Sequence, residues 1–125
     1  MPDYLDLSLG EFLDRVASDS PAPGGGSVAA VAVALAAGLA GMAARLSTGQ
    51  LADAPALADR ADASRRRVAP LARTDAESYG RVLDAYRLPR EPDPETRKER
   101  LRDALSRAAD VPLAVAEVGS EVAGI

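Results

Sequence analysis

The sequence contains no cysteine, no histidine and no tryptophan. Without cysteine the chain can form no disulfide and has no thiolate nucleophile. Without histidine it lacks the side chain that most often serves as a general base or a metal ligand at neutral pH. We therefore expect no metal site. Catalysis, if there is any, must use carboxylates, hydroxyls, arginines, the single lysine Lys98 or backbone groups.

Aromatic residues are also scarce, at 3% of the 125 residues, although 47% are hydrophobic. The core must therefore consist mainly of alanine, valine and leucine packed closely together. Alanine, leucine, arginine and glutamate are strong helix formers, and no segment shows the alternation of polar and apolar residues that is typical of strands. We predict one all-α domain over residues 1–125, a multihelical bundle.

The charge balance disfavours nucleic acid as a partner, because 15 basic residues face 19 acidic ones and the net charge is -4. A chain of this sign repels the phosphate backbone. The N-terminus, Met1 to Asp6, is acidic and lacks the basic-then-apolar order of a signal peptide. We therefore expect a cytoplasmic protein.

The apolar segment from Val28 to Ala44 carries no charge. It lies at the short end of the roughly 17 to 25 residues that a membrane span needs, and alanine and glycine dominate it, so its preference for lipid is weak. We expect instead a helix that starts within Gly24 to Ser27 and ends near Leu46. Because it is apolar nearly all round, we predict that it lies at the centre of the bundle and is buried on most sides, with no membrane as a partner.

Helices are also predicted on either side of this segment. Ser8 and Glu11 form a capping box that should open the first helix. Its predicted apolar stripe consists of Leu9, Phe12, Leu13 and Val16. A long helix should run from Pro55 to Arg87 with a kink at Pro70, and a last helix should begin at Asp93 and Pro94. Pro112 should kink or divide that last helix.

Asp75 is the one charged residue that helical spacing places on the apolar stripe of the long helix. A carboxylate there is costly unless it is paired or protonated, which makes it a candidate proton-transfer group. The alternative is a structural ion pair with Arg45 or Arg73. Tyr79, one turn later, could bond to Asp75 or stack on a flat ring, or it could simply be a tyrosine at the edge of the core.

The most distinctive local feature is a stiff proline segment that leads through Gly24, Gly25, Gly26 and Ser27 into the uncharged helix. Free amides and the partial positive charge at a helix N-terminus could hold a carboxylate, a phosphate or a carbonyl oxygen. The alternative is a flexible turn capped by Ser27. The glycine spacing also fits a dinucleotide fingerprint, but that motif follows a strand, and none is predicted here.

Several segments together resemble a known family, that of formimidoyltetrahydrofolate cyclodeaminase and methenyltetrahydrofolate cyclohydrolase. The most specific is the run from Pro23 to Ala30 followed by the Ala/Leu helix. The supporting segments are Leu9 to Val16, Asp75 to Tyr79 with the later Leu88-Pro89, and Arg97 to Ala109 leading to Pro112-Leu113. The resemblance covers nearly the whole chain.

The resemblance implies an all-helical domain, usually a homodimer, that acts on tetrahydrofolate carrying a one-carbon unit and uses no metal or redox cofactor. We expect Asp75 to be catalytic, and Gly24, Gly25, Gly26, Ser27 and Tyr79 to bind the folate substrate. Cyclodeaminase is the first expectation and cyclohydrolase the alternative. A rival of another class is a non-catalytic helical dimerisation module. The family domain continues past the equivalent of Ile125, so we expect the chain to be incomplete at its C-terminus.

Overall fold

The computed structural model describes residues 3–125, and this part of the chain contains five α-helices, one short 3-10 turn and no strand. The helices are α1 (Leu9–Ala17), α2 (Gly25–Leu46), α3 (Ala54–Val68), α4 (Leu71–Arg87) and α5 (Pro94–Ala123). The all-α prediction is confirmed. Met1 and Pro2 lie outside the described residues. They begin the acidic N-terminal segment for which no signal peptide is expected.

Two helices begin where their capping residues predict. Ser8 accepts a hydrogen bond from the backbone N–H of Glu11 at 3.1 Å, which satisfies one free amide of α1. Asp93 does the same for α5, accepting from the N–H of Thr96 at 3.2 Å. Pro94 follows in the first turn, where the missing N–H of proline has no consequence.

Helix α2 is the central element, because it packs against α3, α4 and α5. The residues of α2 that are buried against them are all small, so the backbones approach closely. These residues are Ser27, Ala30, Ala37, Gly41 and Ala44. The core beneath them is built mainly from alanine and valine of α4 and α5, such as Ala72, Ala76 and Val115. The predicted central position of α2 is confirmed. Alanine and valine fill the core as predicted, whereas leucine, which was also expected there, is not buried at any described position.

The expectation that α2 is buried on most sides is wrong for a single chain. Leu35, Leu39, Met42 and Leu46 form its opposite face and are 63%, 62%, 52% and 76% exposed. Only 28% of the most apolar part of α2 is buried, because the described residues place partner helices on one side only. By length and composition α2 could cross a membrane, but it packs here against helices rich in charged residues.

Proline affects the two long helical segments differently. The helix predicted from Pro55 to Arg87 is divided at Pro70 into α3 and α4 rather than merely kinked. At Pro112 the reverse holds, since α5 continues through it as one helix of 30 residues. A proline inside a helix removes one hydrogen bond and costs about 3 kcal/mol. Packing of Val111, Val115 and Val118 into the core holds α5 together across this position.

Helix α1 is attached to the bundle by one side chain. Of its predicted apolar stripe only Phe12 is buried, whereas Leu9 and Leu13 are 68% and 58% exposed. The Phe12 ring meets the edge of the buried Tyr4 ring at a centroid distance of 5.8 Å. The stripe is present as predicted, but the chain covers only one of its members.

We therefore predict that replacing Phe12 by alanine destabilises the protein by about 3 to 5 kcal/mol, because a buried ring and its aromatic partner are lost. Leu13→Ala removes a neighbouring apolar side chain that is already exposed, and it should change stability by less than about 1 kcal/mol. Urea unfolding of both variants measures the difference. Equal losses would show that α1 is held by its whole stripe.

Candidate functional site

A cleft of about 390 Å³ lies where the start of α2 meets α4 and α5. The glycines at positions 24, 25 and 26 form one wall, Asp75 and Tyr79 of α4 the next, and Ala108 and Pro112 of α5 the third. Asp75 is partly buried and Tyr79 is 41% exposed. The structure thus brings together five of the six predicted site residues, which come from two distant parts of the sequence.

The α2 wall offers hydrogen-bond donors. Gly24 is the N-cap of α2 and provides no side-chain cap, and the first bond of the helix runs from the N–H of Val28 to the carbonyl of Gly24 at 3.1 Å. The N–H groups of residues 25–27 therefore have no partner within the helix. They carry the partial positive charge of the helix end, so this wall suits an oxygen acceptor.

Gly26 is required by space rather than by backbone conformation. A Cβ atom at this position would lie 2.2 Å from Oδ1 of Asp75 and 2.4 Å from its Cγ. Its φ angle is not positive, so any residue could adopt its backbone conformation. The glycine therefore lets the carboxylate lie directly against the first turn of α2.

Ser27 lies one layer beneath the cleft instead of lining it. Its side chain is fully buried, and its hydroxyl donates to the carbonyl of Ala72 at 2.6 Å. The same oxygen lies 3.4 Å from Oδ2 of Asp75. Ser27 thus joins α2 to α4 beside the carboxylate. It does not cap the helix, which excludes the alternative of a turn capped by Ser27.

The alternative of a structural ion pair for Asp75 is not seen among residues 3–125. Arg45 pairs with Asp62, and Arg73 pairs with Glu77 at 2.9 Å along α4. The hydrogen bond from Arg45 is the main cause that holds the pKa of Asp62 below its usual range. Both arginines are therefore engaged elsewhere, and Asp75 faces the cleft without a cationic partner among the described residues.

Tyr4 belongs to the surroundings of Asp75, although no sequence pattern predicts this. Its ring is buried against Phe12. Burial raises the pKa of Tyr4, Arg15 opposes that change, and the negative charge of Asp75 adds to it. The phenol thus lies within electrostatic reach of the carboxylate. It precedes the first helix, in a segment without any periodic pattern that could have singled it out.

The other basic residues lie outside this cleft. Among the three consecutive arginines of α3, Arg65 contacts Asp62 and Arg67 pairs with Glu121 at 2.6 Å. A second cleft of about 310 Å³, between the later part of α4 and the first part of α5, is lined by Arg81, Arg100 and other residues. It contains no predicted site residue, so the glycine cleft is the better candidate.

Comparison with known proteins agrees with the resemblance seen in the sequence. The family model described as formiminotransferase-cyclodeaminase matches residues 8–125. The methenyltetrahydrofolate cyclohydrolase of Methylorubrum extorquens is 36% identical over 89% of this chain and 57% of its own length. The formimidoyltransferase-cyclodeaminases of Mus musculus and Rattus norvegicus are each 37% identical over 94% of this chain and 23% of theirs. The chain thus spans little more than half of the cyclohydrolase and about a quarter of the longer relatives.

The contact between Gly26 and Asp75 makes a prediction about stability. Gly80→Ala adds a methyl group in open space within α4 and should stabilise by up to about 1 kcal/mol through helix propensity. Gly26→Ala should instead destabilise the protein, because the new Cβ displaces the carboxylate of Asp75 and this cost exceeds the gain in helix propensity. In an Asp75→Ala background the difference between the two glycine sites should disappear, which thermal unfolding of the four variants and their parents will measure. A penalty at Gly26 that persists without the carboxylate would contradict this contact.

Proposed function

The chain belongs to the formiminotransferase-cyclodeaminase family, and we propose that it forms part of a folate enzyme, with formimidoyltetrahydrofolate cyclodeaminase as its first assignment. The observation that carries the proposal is the carboxylate of Asp75, which faces the cleft at the start of α2 without a partner arginine among residues 3–125. Such a group can take up and release a proton next to a bound substrate.

The cleft offers suitable groups for the polar ring of a reduced folate. The free amides of residues 25 and 26 can donate to a carbonyl oxygen of the ring, and Tyr79 presents a half-exposed aromatic face. Ser27 takes a positioning role in this proposal, because its hydroxyl bonds to the backbone of α4 one turn before Asp75. Substrate contacts are assigned to Gly24, Gly25, Gly26 and Tyr79.

In the deaminase reaction N10 of the folate attacks the carbon of the protonated formimino group and forms a tetrahedral centre that carries an amino group. The proton on N10 must leave, and the amino group on that carbon must gain a proton before it departs as ammonia. A single carboxylate can accept the first proton and deliver it to the amino group. The carbon–nitrogen bond then breaks and the methenyl bridge closes, with Asp75 returned to its starting charge. One residue therefore suffices for both transfers.

The cyclohydrolase reaction needs the same group. Water adds to the cationic methenyl carbon and gives up one proton to the carboxylate, which passes it to N5. As the bond between this carbon and N5 breaks, the remaining hydroxyl proton is released to solvent and the formyl derivative is left. In both reactions the one-carbon unit stays at the oxidation level of formate. We therefore propose that no redox cofactor takes part, and that the folate is itself the only small molecule required besides water.

We also propose that a second copy of the chain covers the exposed face of α2. Four large apolar side chains on one face of α2 are each more than half exposed, and exposed apolar patches of this kind often mark an interface. Their spacing along 22 residues suits a helix that packs against its own symmetry copy, because an interface with two-fold symmetry uses the same patch twice. The interface lies opposite the packed face of α2.

The assignment to an enzyme is tested with Asp75→Asn in the natural full-length protein. The substitution keeps shape and hydrogen bonding but removes the base, so turnover should fall by about 10² to 10⁴-fold. Melting temperature should stay the same or rise, because no buried arginine is stranded. Asp84→Asn makes the same change on an exposed carboxylate of α4 and should leave turnover unchanged. Full activity in the Asp75 variant would exclude its catalytic role.

Two assays on the same samples separate the candidate activities. Ammonia release from formimino-folate reports the cyclodeaminase, and loss of methenyl-folate by hydrolysis reports the cyclohydrolase. If a reduced folate at saturation raises the melting temperature of the wild-type protein, a folate site is present. If both reactions are absent and the melting temperature does not change, the non-catalytic dimerisation module is the correct description.

The dimer is tested by sedimentation at micromolar concentration. The wild-type protein should sediment as a dimer, and Leu39→Glu should dissociate it by placing a charge at the centre of the α2 face. Leu113→Glu makes the same change on α5 at a residue of similar exposure, 60%, and should leave the dimer intact. A monomeric wild-type protein would contradict the proposed interface.

A further inference from the structure

On the third wall of the cleft, α5 lacks one backbone hydrogen bond because Pro112 has no N–H. Pro112 lies well inside α5, a position at which proline is strongly unfavourable, yet the helix continues on both sides. Proline has no N–H, so the carbonyl of Ala108, four residues earlier, lacks the donor that a helix normally supplies. One backbone acceptor in the middle of α5 is therefore available for another partner.

The strip of α5 that carries this carbonyl borders the cleft. A helical carbonyl points along the axis towards the residue four positions later, so it lies on the strip of surface between the two residues. Both ends of that strip, Ala108 and Pro112, line the cleft together with Asp75 and the glycines. The cleft thus combines donors at the start of α2, a carboxylate on α4 and a backbone acceptor on α5.

We infer that the carbonyl of Ala108, released by Pro112, accepts a hydrogen bond from the exocyclic 2-amino group of the folate pterin ring and so helps to determine substrate specificity. This inference rests on the proposed function. The 2-amino group is the protruding donor of the ring and lies at the end opposite to N5 and N10. If the reacting nitrogens face Asp75 on α4, the amino group can be directed towards α5.

Recognition by a backbone carbonyl discriminates strongly between ligands that can donate a hydrogen bond to it and ligands that cannot. A bound ligand that lacks the amino protons would shield the carbonyl from water without pairing with it, and an unpaired polar group is more costly than a missing apolar contact. The inference also gives a reason for proline at this position. A residue with an N–H would stabilise α5 but would take up the acceptor in the helix.

The test restores the helix hydrogen bond and measures folate binding. Pro112→Val returns an N–H while keeping an apolar side chain of similar bulk, and Pro112→Ala serves as a second variant. Both should raise the melting temperature of the full-length protein and weaken binding of 5-formyltetrahydrofolate in calorimetry by about 3 to 10-fold, the range for one hydrogen bond. Leu113→Ala, an adjacent exposed change, should alter neither quantity much.

A modified ligand identifies the bond. The 2-dimethylamino analogue of 5-formyltetrahydrofolate has no amino proton, so it should bind the wild-type protein more weakly, whereas the two Pro112 variants should bind analogue and parent ligand alike. Unchanged binding of the parent ligand by both variants would overturn the inference, as would an equal loss for both ligands. If the wild-type protein binds no reduced folate, the proposed function fails and the inference fails with it.

Discussion

The contact between the first turn of α2 and the middle of α4 determines the geometry of the candidate site. Gly26 leaves no space between its backbone and the carboxylate of Asp75, and Ser27 fastens the two helices through the carbonyl of Ala72. The hydroxyl of Ser27 has a single proton, and the shorter contact, at 2.6 Å, uses it for the backbone rather than for the carboxylate at 3.4 Å. The carboxylate is therefore positioned mainly by its contact with the first turn of α2, and only weakly by Ser27.

The same helix has two faces that meet different requirements. Small residues towards α3, α4 and α5 allow the close approach on which the Gly26 contact depends. Large residues on the opposite face find no partner within the described residues. If a second copy occupies that face, folding and assembly become linked, because removing the partner would expose the four large side chains to water. The site lies at the N-terminal end of α2, whereas the exposed face runs along its later turns.

Much of the fold could be predicted, because helix caps and breaks are local. Ser8, Asp93 and the glycine run mark three helix starts in the sequence itself. Burial is not local. The expectation of an enclosed α2 failed because the apolar pattern of a helix does not show how many of its sides are covered by other helices of the same chain. Pro70 and Pro112 show a second limit, since one proline divides a helix and the other does not. The difference depends on the tertiary packing around each.

For the site, the helical stripe singled out Asp75, and the glycine motif singled out the start of α2, but nothing local indicated that they touch. That contact depends on two segments 49 positions apart, between Gly26 and Asp75. Tyr4 and Ala108 could not be predicted as site residues for a different reason, because neither belongs to a recognisable motif. Ala108 in particular would contribute only its backbone, and the visible sign of it is the proline four residues later.

A chain without histidine or cysteine has few side chains for catalysis, and the cleft reflects this constraint. Apart from Asp75 and Tyr79, the polar groups it can offer come from the backbone: amides that a helix start leaves free and a carbonyl that a proline leaves free. Backbone groups cannot titrate, so they can orient a ligand without competing for its protons. In the proposed function, proton transfer is therefore assigned to Asp75, the one carboxylate on the cleft wall. In a site of this kind glycine and proline indicate where a ligand can bind, because they determine which backbone groups have no hydrogen-bond partner within a helix.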